Sequence, residues 1–232
     1  MQYLVITGAS SGIGYATAET FRRDGYRVIN LSRSSCDIDG VVNLTGDLAN
    51  PSFIPSISES MAAAVADADS LCLVHNAARL GHDTVQDIET EALRQIYEIN
   101  LVAPTRLNRL LLPHMTEGSS ILYVGSTLGE KAVPGSFSYV VSKHASIGMM
   151  RASCQDLAGT GVHTACINPG FTDTEMLRDH IPDDVMPDIA QMSAFGRLIE
   201  PAEIGKTLLF AAQNPVINGS VSYTHLTLPT KA

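Results

Sequence analysis

The sequence predicts an α/β fold: one doubly wound parallel sheet with helices on both faces, in a single domain. Three observations predict it. Short apolar runs alternate with amphipathic stretches along the chain. Several runs are apolar throughout, as strands covered on both faces require. A glycine-rich turn joins the first run to the first amphipathic stretch, and the βαβ order that follows implies right-handed crossovers. With 232 residues, 45% of them hydrophobic and 17% charged, the chain has ample length for one ordered domain with a sizeable core.

Strands are expected at residues 4–6, 27–31, 41–44, 71–75, 120–124 and 162–167. Helical patterns lie between and after them, at 13–24, 52–65, 90–115, 139–157 and 201–212. One connection is irregular. Only SSCDIDG separates the second and third strands, too little for a full crossover helix. Residues 170–198 carry Pro182, Pro187, Asp183, Asp184, Met176, Met186 and Met192, and read as a mobile helical lid over a pocket.

Composition narrows the function. A formal net charge of −9 argues against nucleic acid or an anionic membrane surface as main partner. No apolar run approaches the length of a membrane span, and MQYLVITGAS reads as a core strand, not a leader. Cys36, Cys72, Cys154 and Cys166 show no C-x-x-C spacing and no cysteine–histidine cluster, so no metal site is expected. Cys72 and Cys166 fall in apolar runs, which favours buried free thiols and a reducing, cytoplasmic setting.

The first strand runs into TGASSGIG, where Gly8, Gly12 and Gly14 open a helix. Glycines there permit a tight turn and close backbone approach, and the helix N-terminus offers N–H groups to a pyrophosphate. Gly8, Ser10, Ser11, Gly12, Ile13 and Gly14 are therefore candidate dinucleotide contacts. The second strand ends in Ser32 and Arg33, where NAD sites carry an acid for the ribose 2′-hydroxyl. Arginine pairs with a 2′-phosphate and serine can bond it, so NADP(H) is favoured over NAD(H). Asp47, followed by Leu48, could accept from an adenine amino group.

Tyr139 and Lys143 are spaced to share one helix face, with Ser126 upstream at the end of an apolar run. A phenol is inert near neutrality, but an ammonium group close by favours its ionised form. Such a pair makes an acid/base, and the serine hydroxyl could hold a substrate oxygen against it.

These motifs, with HNAA at 75–78, Asn100 in EINLVAPT and NPGFTDTEM from Asn168, resemble the short-chain dehydrogenase/reductase family over residues 1–220. The resemblance implies a Rossmann-type sheet, bound NAD(P) and hydride transfer between the nicotinamide and a carbonyl or alcohol carbon. By it, Tyr139 is the acid/base, Ser126 orients the substrate oxygen, and Lys143 assists Tyr139 and holds the nicotinamide ribose. Asn100 supports a water-linked proton path to Lys143. Asn76 and Ala77, with Ala78 beside them, lie near the adenosine ribose; Pro169, Gly170, Thr172 and Thr174 flank the nicotinamide and pyrophosphate. Two departures stand out: Ala78 replaces the glycine of the usual N-N-A-G, and the missing crossover helix narrows one flank of the adenosine site. His144 points off the catalytic face and reads as structural or interfacial.

Two alternatives are an NAD-linked alcohol dehydrogenase of the same family and a non-catalytic dinucleotide sensor. The substrate is a small carbonyl or alcohol compound that the sequence does not name. Apolar residues on the long helices, among them Leu110, Leu111, Leu112, Met149 and Met150, suggest by the resemblance a homodimer or homotetramer. Residues 221–232 form an atypical tail. From Val221 to Thr230 they read as one frame of a transposon-end sequencing oligonucleotide, although Val221, Tyr223 and His225 can still alternate as a short strand.

Overall fold

The computed structural model describes residues 1–224. Its strands are β1 (Gln2–Thr7), β2 (Arg27–Ser32), β3 (Val42–Thr45), β4 (Ser70–His75), β5 (Ser120–Val124), β6 (His163–Pro169) and β7 (Ser220–Thr224). They form one parallel sheet in the order β3-β2-β1-β4-β5-β6-β7. β2 and β3 lie on one side of β1 and β4 to β7 on the other, so the chain reverses its direction of travel across the sheet after β3. Ligands of open α/β sheets bind at such a reversal, off the carboxyl ends of the strands.

Side-chain alternation along each strand sends two sets of apolar residues to opposite faces. Leu4, Ile6, Val28, Val74 and Ile167 face the side that carries helix α1 (Gly12–Arg23). Tyr3, Val5, Leu73, Ile121 and Tyr123 pack on the other face, where α2 (Phe53–Ser56), α3 (Ser58–Ala64), α4 (Thr90–Tyr97), α5 (Ala103–Leu111) and α6 (Phe137–Asp156) lie. Beyond β6 come two short helices, α7 (Glu175–Arg178) and α8 (Met186–Gln191), and then α9 (Pro201–Gln213), which joins the α1 face. Gly205 of α9 sits so close to α1 that a Cβ there would lie 3.0 Å from the Ala16 carbonyl oxygen.

Several helices differ from the pattern expected. The stretch 52–65 is two helices that meet at Ile57, and the bend lets Phe53, Ile54, Ile57 and Met61 all reach the sheet core. The stretch 90–115 is interrupted by a π-helical turn at Glu98–Val102 and closes in a 3-10 turn at Leu112–His114. Pro104 lies four residues beyond Asn100 and Pro113 sits in the closing turn; neither has an N–H to continue the α pattern. Leu111 and Met150, read as candidates for an outer face, are fully buried in the core, and Leu110, Leu112 and Met149 pack partly against it.

The short β2–β3 connection contains no helix. Cys36 is buried against the α1 layer, and Asn43 ties the loop down: its Oδ1 accepts from Cys36 N at 2.8 Å and its Nδ2 donates to Cys36 O at 3.0 Å. The segment after β6 is a pinned excursion. Thr172 pairs with Ile199, and Asp173 N donates to Ile199 O at 2.9 Å, so α7 and α8 hang from a closed base. Of the atypical tail, residues 221–224 extend the sheet as β7, in register with β6. His225 and the rest of the tail lie outside the described residues.

Among the described residues, no helix is long and apolar enough to cross a membrane. Burial raises the thiol pKa of Cys72 to about 12 and of Cys166 to about 11, so both stay protonated and inert.

Candidate active site

The glycine-rich turn leaves β1 through Gly8, at φ 74°, and starts α1 at Gly12, at φ 54°. A Cβ on Gly14 would lie 2.0 Å from the Gly8 carbonyl oxygen, so the turn folds this tightly only with glycine. Neighbouring strands hold it from both sides. Asn76, just past β4, donates through Nδ2 to Thr7 O at 2.9 Å and Gly8 O at 3.1 Å. Asn30 of β2 accepts from Ala9 N at 3.0 Å. Ser11 caps α1 with no side-chain bond to its first N–H groups, which leaves them for an anion. A Cβ on Gly12 would touch Thr174 at 3.2 Å, so the segment after β6 closes over this turn. A turn with glycine at its three tightest positions, opening at a helix N-terminus, fits the pyrophosphate of a dinucleotide.

At the end of β2 the two candidate residues part company. Ser32 is buried, and its hydroxyl donates to Ser34 O at 2.5 Å while accepting from Asn30 Nδ2 at 2.9 Å. It has no proton left for a phosphate. Arg33 is exposed beside it. Asp47 Oδ1 accepts from Ala49 N at 2.9 Å, which fixes the turn after β3, and Leu48 is buried in the core.

Tyr139, Lys143 and Ser126 converge off β5. Helix α6 buries a face of Ser138, Ser142, Lys143, Ser146, Ile147 and Met150, the spacing of one helical stripe. Its serines let the helix lie close to the sheet. Lys143 is 5% exposed; its Nζ donates to Val124 O at 2.8 Å and lies 5.4 Å from the centre of the Tyr139 ring. Ser126 N donates to Asn168 Oδ1 at 3.1 Å, and Ser126 Oγ accepts from Leu128 N at 3.1 Å. Among the described residues the Ser126 hydroxyl proton has no acceptor, so it can be given to a substrate oxygen.

Asn100 sits in the π-helical turn with its side chain fully engaged. Oδ1 accepts from Arg79 N at 2.8 Å; Nδ2 donates to Arg79 O at 3.1 Å and Ser142 Oγ at 2.9 Å. Ser142 in turn donates to the Tyr139 carbonyl at 2.8 Å. The amide thus joins the loop after β4 to helix α6, and its side chain does not itself bond Lys143. His144 is exposed, with Nδ1 near Val140 O at 2.9 Å, off the buried face that carries Lys143.

Two residues that sequence reasoning passed over belong to this site. Asp83 is buried; its Oδ1 accepts from Ser138 N at 2.8 Å and its Oδ2 from Ser138 Oγ at 2.5 Å. It caps the start of α6 from far away in sequence, next to Tyr139, where a negative charge suits the helix dipole. His75 closes β4. Its Nε2 lies 2.7 Å from Asn108 Oδ1, and its ring stacks on Tyr123 at 4.9 Å. No local pattern marks Asp83. The signal for His75 was its place in HNAA, at the end of a buried strand.

A family model described as short chain dehydrogenase matches residues 2–184. The chain belongs to this family. Its members use nicotinamide cofactors, and the chain is accordingly an oxidoreductase acting on CH–OH and C=O groups. Among similar proteins is the 3-oxoacyl-acyl-carrier-protein reductase FabG of Escherichia coli, 28% identical over 90% of this chain and 89% of that protein. The 1-deoxy-11-beta-hydroxypentalenate dehydrogenase of Streptomyces exfoliatus is 30% identical over 75% of this chain and 68% of that protein. In fold, the aldohexose dehydrogenase of Thermoplasma acidophilum superposes with a TM-score of 0.90 at 24% identity, covering 100% of this chain and 97% of that one.

Burial lowers the His75 pKa to about 4, against the opposing pull of its bond to Asn108. The unfolded chain takes up this proton near pH 6.5, the folded one only near 4. The contribution to stability is full above about pH 6.5 and falls by about 3 kcal/mol as pH drops toward 4. Urea unfolding at pH 7 and 4.5 should show that loss, and His75→Asn should flatten it; an equal slope in both proteins would refute the assignment.

Proposed function

We propose that this protein is an NADP(H)-dependent oxidoreductase that interconverts a small carbonyl compound and its alcohol, with Tyr139 as the acid/base. The observation that carries the reading is the buried Lys143 ammonium held at the end of β5 beneath the Tyr139 ring, with Ser126 two residues past Val124 and its hydroxyl proton without an acceptor among the described residues. When bound, the nicotinamide supplies or accepts the hydride. The pyrophosphate would rest on the turn of Gly8, Ser10, Ser11, Gly12, Ile13 and Gly14, with Asn76, Ala77 and Ala78 toward the adenosine ribose. Pro169, Gly170, Thr172 and Thr174 would close the other side.

In the reduction direction Ser126 donates a hydrogen bond to the substrate oxygen and fixes it against the phenol. Tyr139 gives its proton to that oxygen as negative charge develops there, and Lys143 keeps a positive charge beside the resulting phenolate. Oxidation runs the same transfers in reverse. Proton transfer from a positioned side chain contributes about 10²–10⁴-fold. Tyr139→Phe should therefore keep cofactor binding, read by fluorescence titration, while turnover falls by about 10²-fold or more. Activity close to the parent's would show that another group carries the proton.

Cofactor choice rests on Arg33, since the Ser32 hydroxyl is already used. NADPH should exceed NADH by about tenfold in kcat/KM, roughly 1.4 kcal/mol. Arg33→Asp places an acid where it repels a 2′-phosphate and can hold a 2′-hydroxyl, so the preference should vanish or invert. Equal efficiency with both cofactors in the parent would favour the NAD-linked alcohol dehydrogenase instead.

We further propose a homodimer or homotetramer formed through the outer faces of α5 and α6. Val102, just before α5, and Val141 of α6, 37% and 38% exposed, offer apolar surface there. Light scattering at micromolar concentration should give two or four times the 24.7 kDa chain mass; a mass of one chain would count against assembly.

A further inference from the structure

The connection from β2 to β3 carries Arg33 and is held by a strap of two side-chain amides. Asn30, fully buried, reaches in two directions. Its Oδ1 accepts from Ala9 N at 3.0 Å, in the glycine-rich turn. Its Nδ2 donates to Ser32 Oγ at 2.9 Å and to Ser34 O at 3.4 Å. Ser32 Oγ donates to the same Ser34 carbonyl at 2.5 Å. The residues before and after Arg33 are thus both tied to one amide.

Asn43, on β3, fixes the Asn30 amide in turn. Its Oδ1 accepts from Asn30 Nδ2 at 2.9 Å and from Cys36 N at 2.8 Å, and its Nδ2 donates to Cys36 O at 3.0 Å. Backbone groups decide how both amides face, because a main-chain N–H only donates and a main-chain carbonyl only accepts. Ala9 N sets the oxygen of Asn30 toward the glycine-rich turn, and the two Cys36 groups set both ends of Asn43. Turning over either amide would set donor against donor. Beyond Cys36 the connection is held to α1, where Arg22 Nε donates to Asp39 O at 3.3 Å.

We propose that Asn43, acting through Asn30, is a positioning residue for Arg33, and that it thereby sets the preference for a dinucleotide bearing a 2′-phosphate. The inference rests on the reading of Arg33 as the group that meets that phosphate. An arginine on a slack loop spends part of its bond to a phosphate on ordering the loop, and a loop ordered beforehand spares that cost. A crossover helix is the usual brace between parallel strands. In this chain, where SSCDIDG is too short for one, two amides take its place. The same strap reaches Ala9, so the loop that carries Arg33 and the turn proposed for the pyrophosphate are set from one buried side chain.

The test is the binding of NADPH and of NADH, read by fluorescence titration, in Asn43→Leu, Arg33→Ala and the two combined. Asn43→Leu should weaken NADPH by about fivefold and NADH by less than about twofold. A residue that only stabilised the fold would weaken both alike. Added to Arg33→Ala, Asn43→Leu should change the NADPH dissociation constant by less than about twofold, because the side chain it positions is gone. Hydrogen exchange at the Cys36 amide should quicken in Asn43→Leu, which reads the strap without any cofactor. If Asn43→Leu folds poorly, Asn43→Ala removes the same bonds without added bulk and is held to the same outcomes. Equal weakening of both cofactors, an unchanged NADPH constant, full additivity with Arg33→Ala, or parent-like exchange at Cys36 would overturn the role of Asn43 and leave the Arg33 reading standing. If instead Arg33→Ala binds NADPH as tightly as the parent, the Arg33 reading fails and the role of Asn43 falls with it.

Discussion

A buried ammonium group is the constraint that organises this molecule. Lys143 is almost wholly withdrawn from solvent, and a cation in that position costs several kcal/mol unless its N–H groups are bonded. The carbonyl that receives it belongs to Val124, the last residue of β5, so α6 must cross where the sheet ends. That requirement explains the helix's small buried face, with Ser138, Ser142 and Ser146 in place of bulky residues. It also explains why the helix is gripped at two points near Tyr139, by Asp83 at its first turn and by Asn100 through Ser142. Holding Lys143 and holding Tyr139 are then one structural task, because a single helical turn separates them.

Much of this was legible in the sequence, for definite reasons. The parallel sheet follows from runs of apolar residues too uniform for an exposed strand, and all six strands expected from those runs are present. The glycine turn is legible because the need for glycine is local: Gly14 leaves no space for a Cβ against Gly8. The Tyr139–Lys143 pair is legible because helix geometry converts spacing into contact. What escaped is what depends on distant chain. Asp83 reaches Ser138 across a loop, and its role exists only once β4 and α6 are docked. The break in the long helical stretch came from Pro104 acting on the carbonyl four residues earlier, which periodicity of side chains does not report. Ser32 looked available for a phosphate, and only the position of Asn30 and the Ser34 carbonyl shows its hydroxyl to be spent.

A common device runs along the carboxyl edge of the sheet. Asparagines at or just beyond strand ends each reach sideways to a turn that belongs to another strand. Asn30 on β2 holds Ala9 after β1; Asn76 after β4 holds the carbonyls of Thr7 and Gly8; Asn168 on β6 holds the amide of Ser126 after β5. Asparagine suits this work because its amide offers a donor and an acceptor on a short, nearly rigid arm and carries no charge to desolvate. Each such bond fixes a loop relative to a neighbouring strand rather than to its own, so errors in one connection do not accumulate into the next. The turn proposed for the pyrophosphate, the serine proposed to hold the substrate oxygen and the helix that carries the tyrosine are all referred to the same rigid sheet. Catalysis by positioning needs reacting atoms placed to a fraction of an ångström. On a sheet edge built of loops, sideways amide contacts supply that placement, and the short β2–β3 connection shows the same solution: with no helix to brace it, Asn43 bonds both backbone groups of Cys36 and the side chain of Asn30.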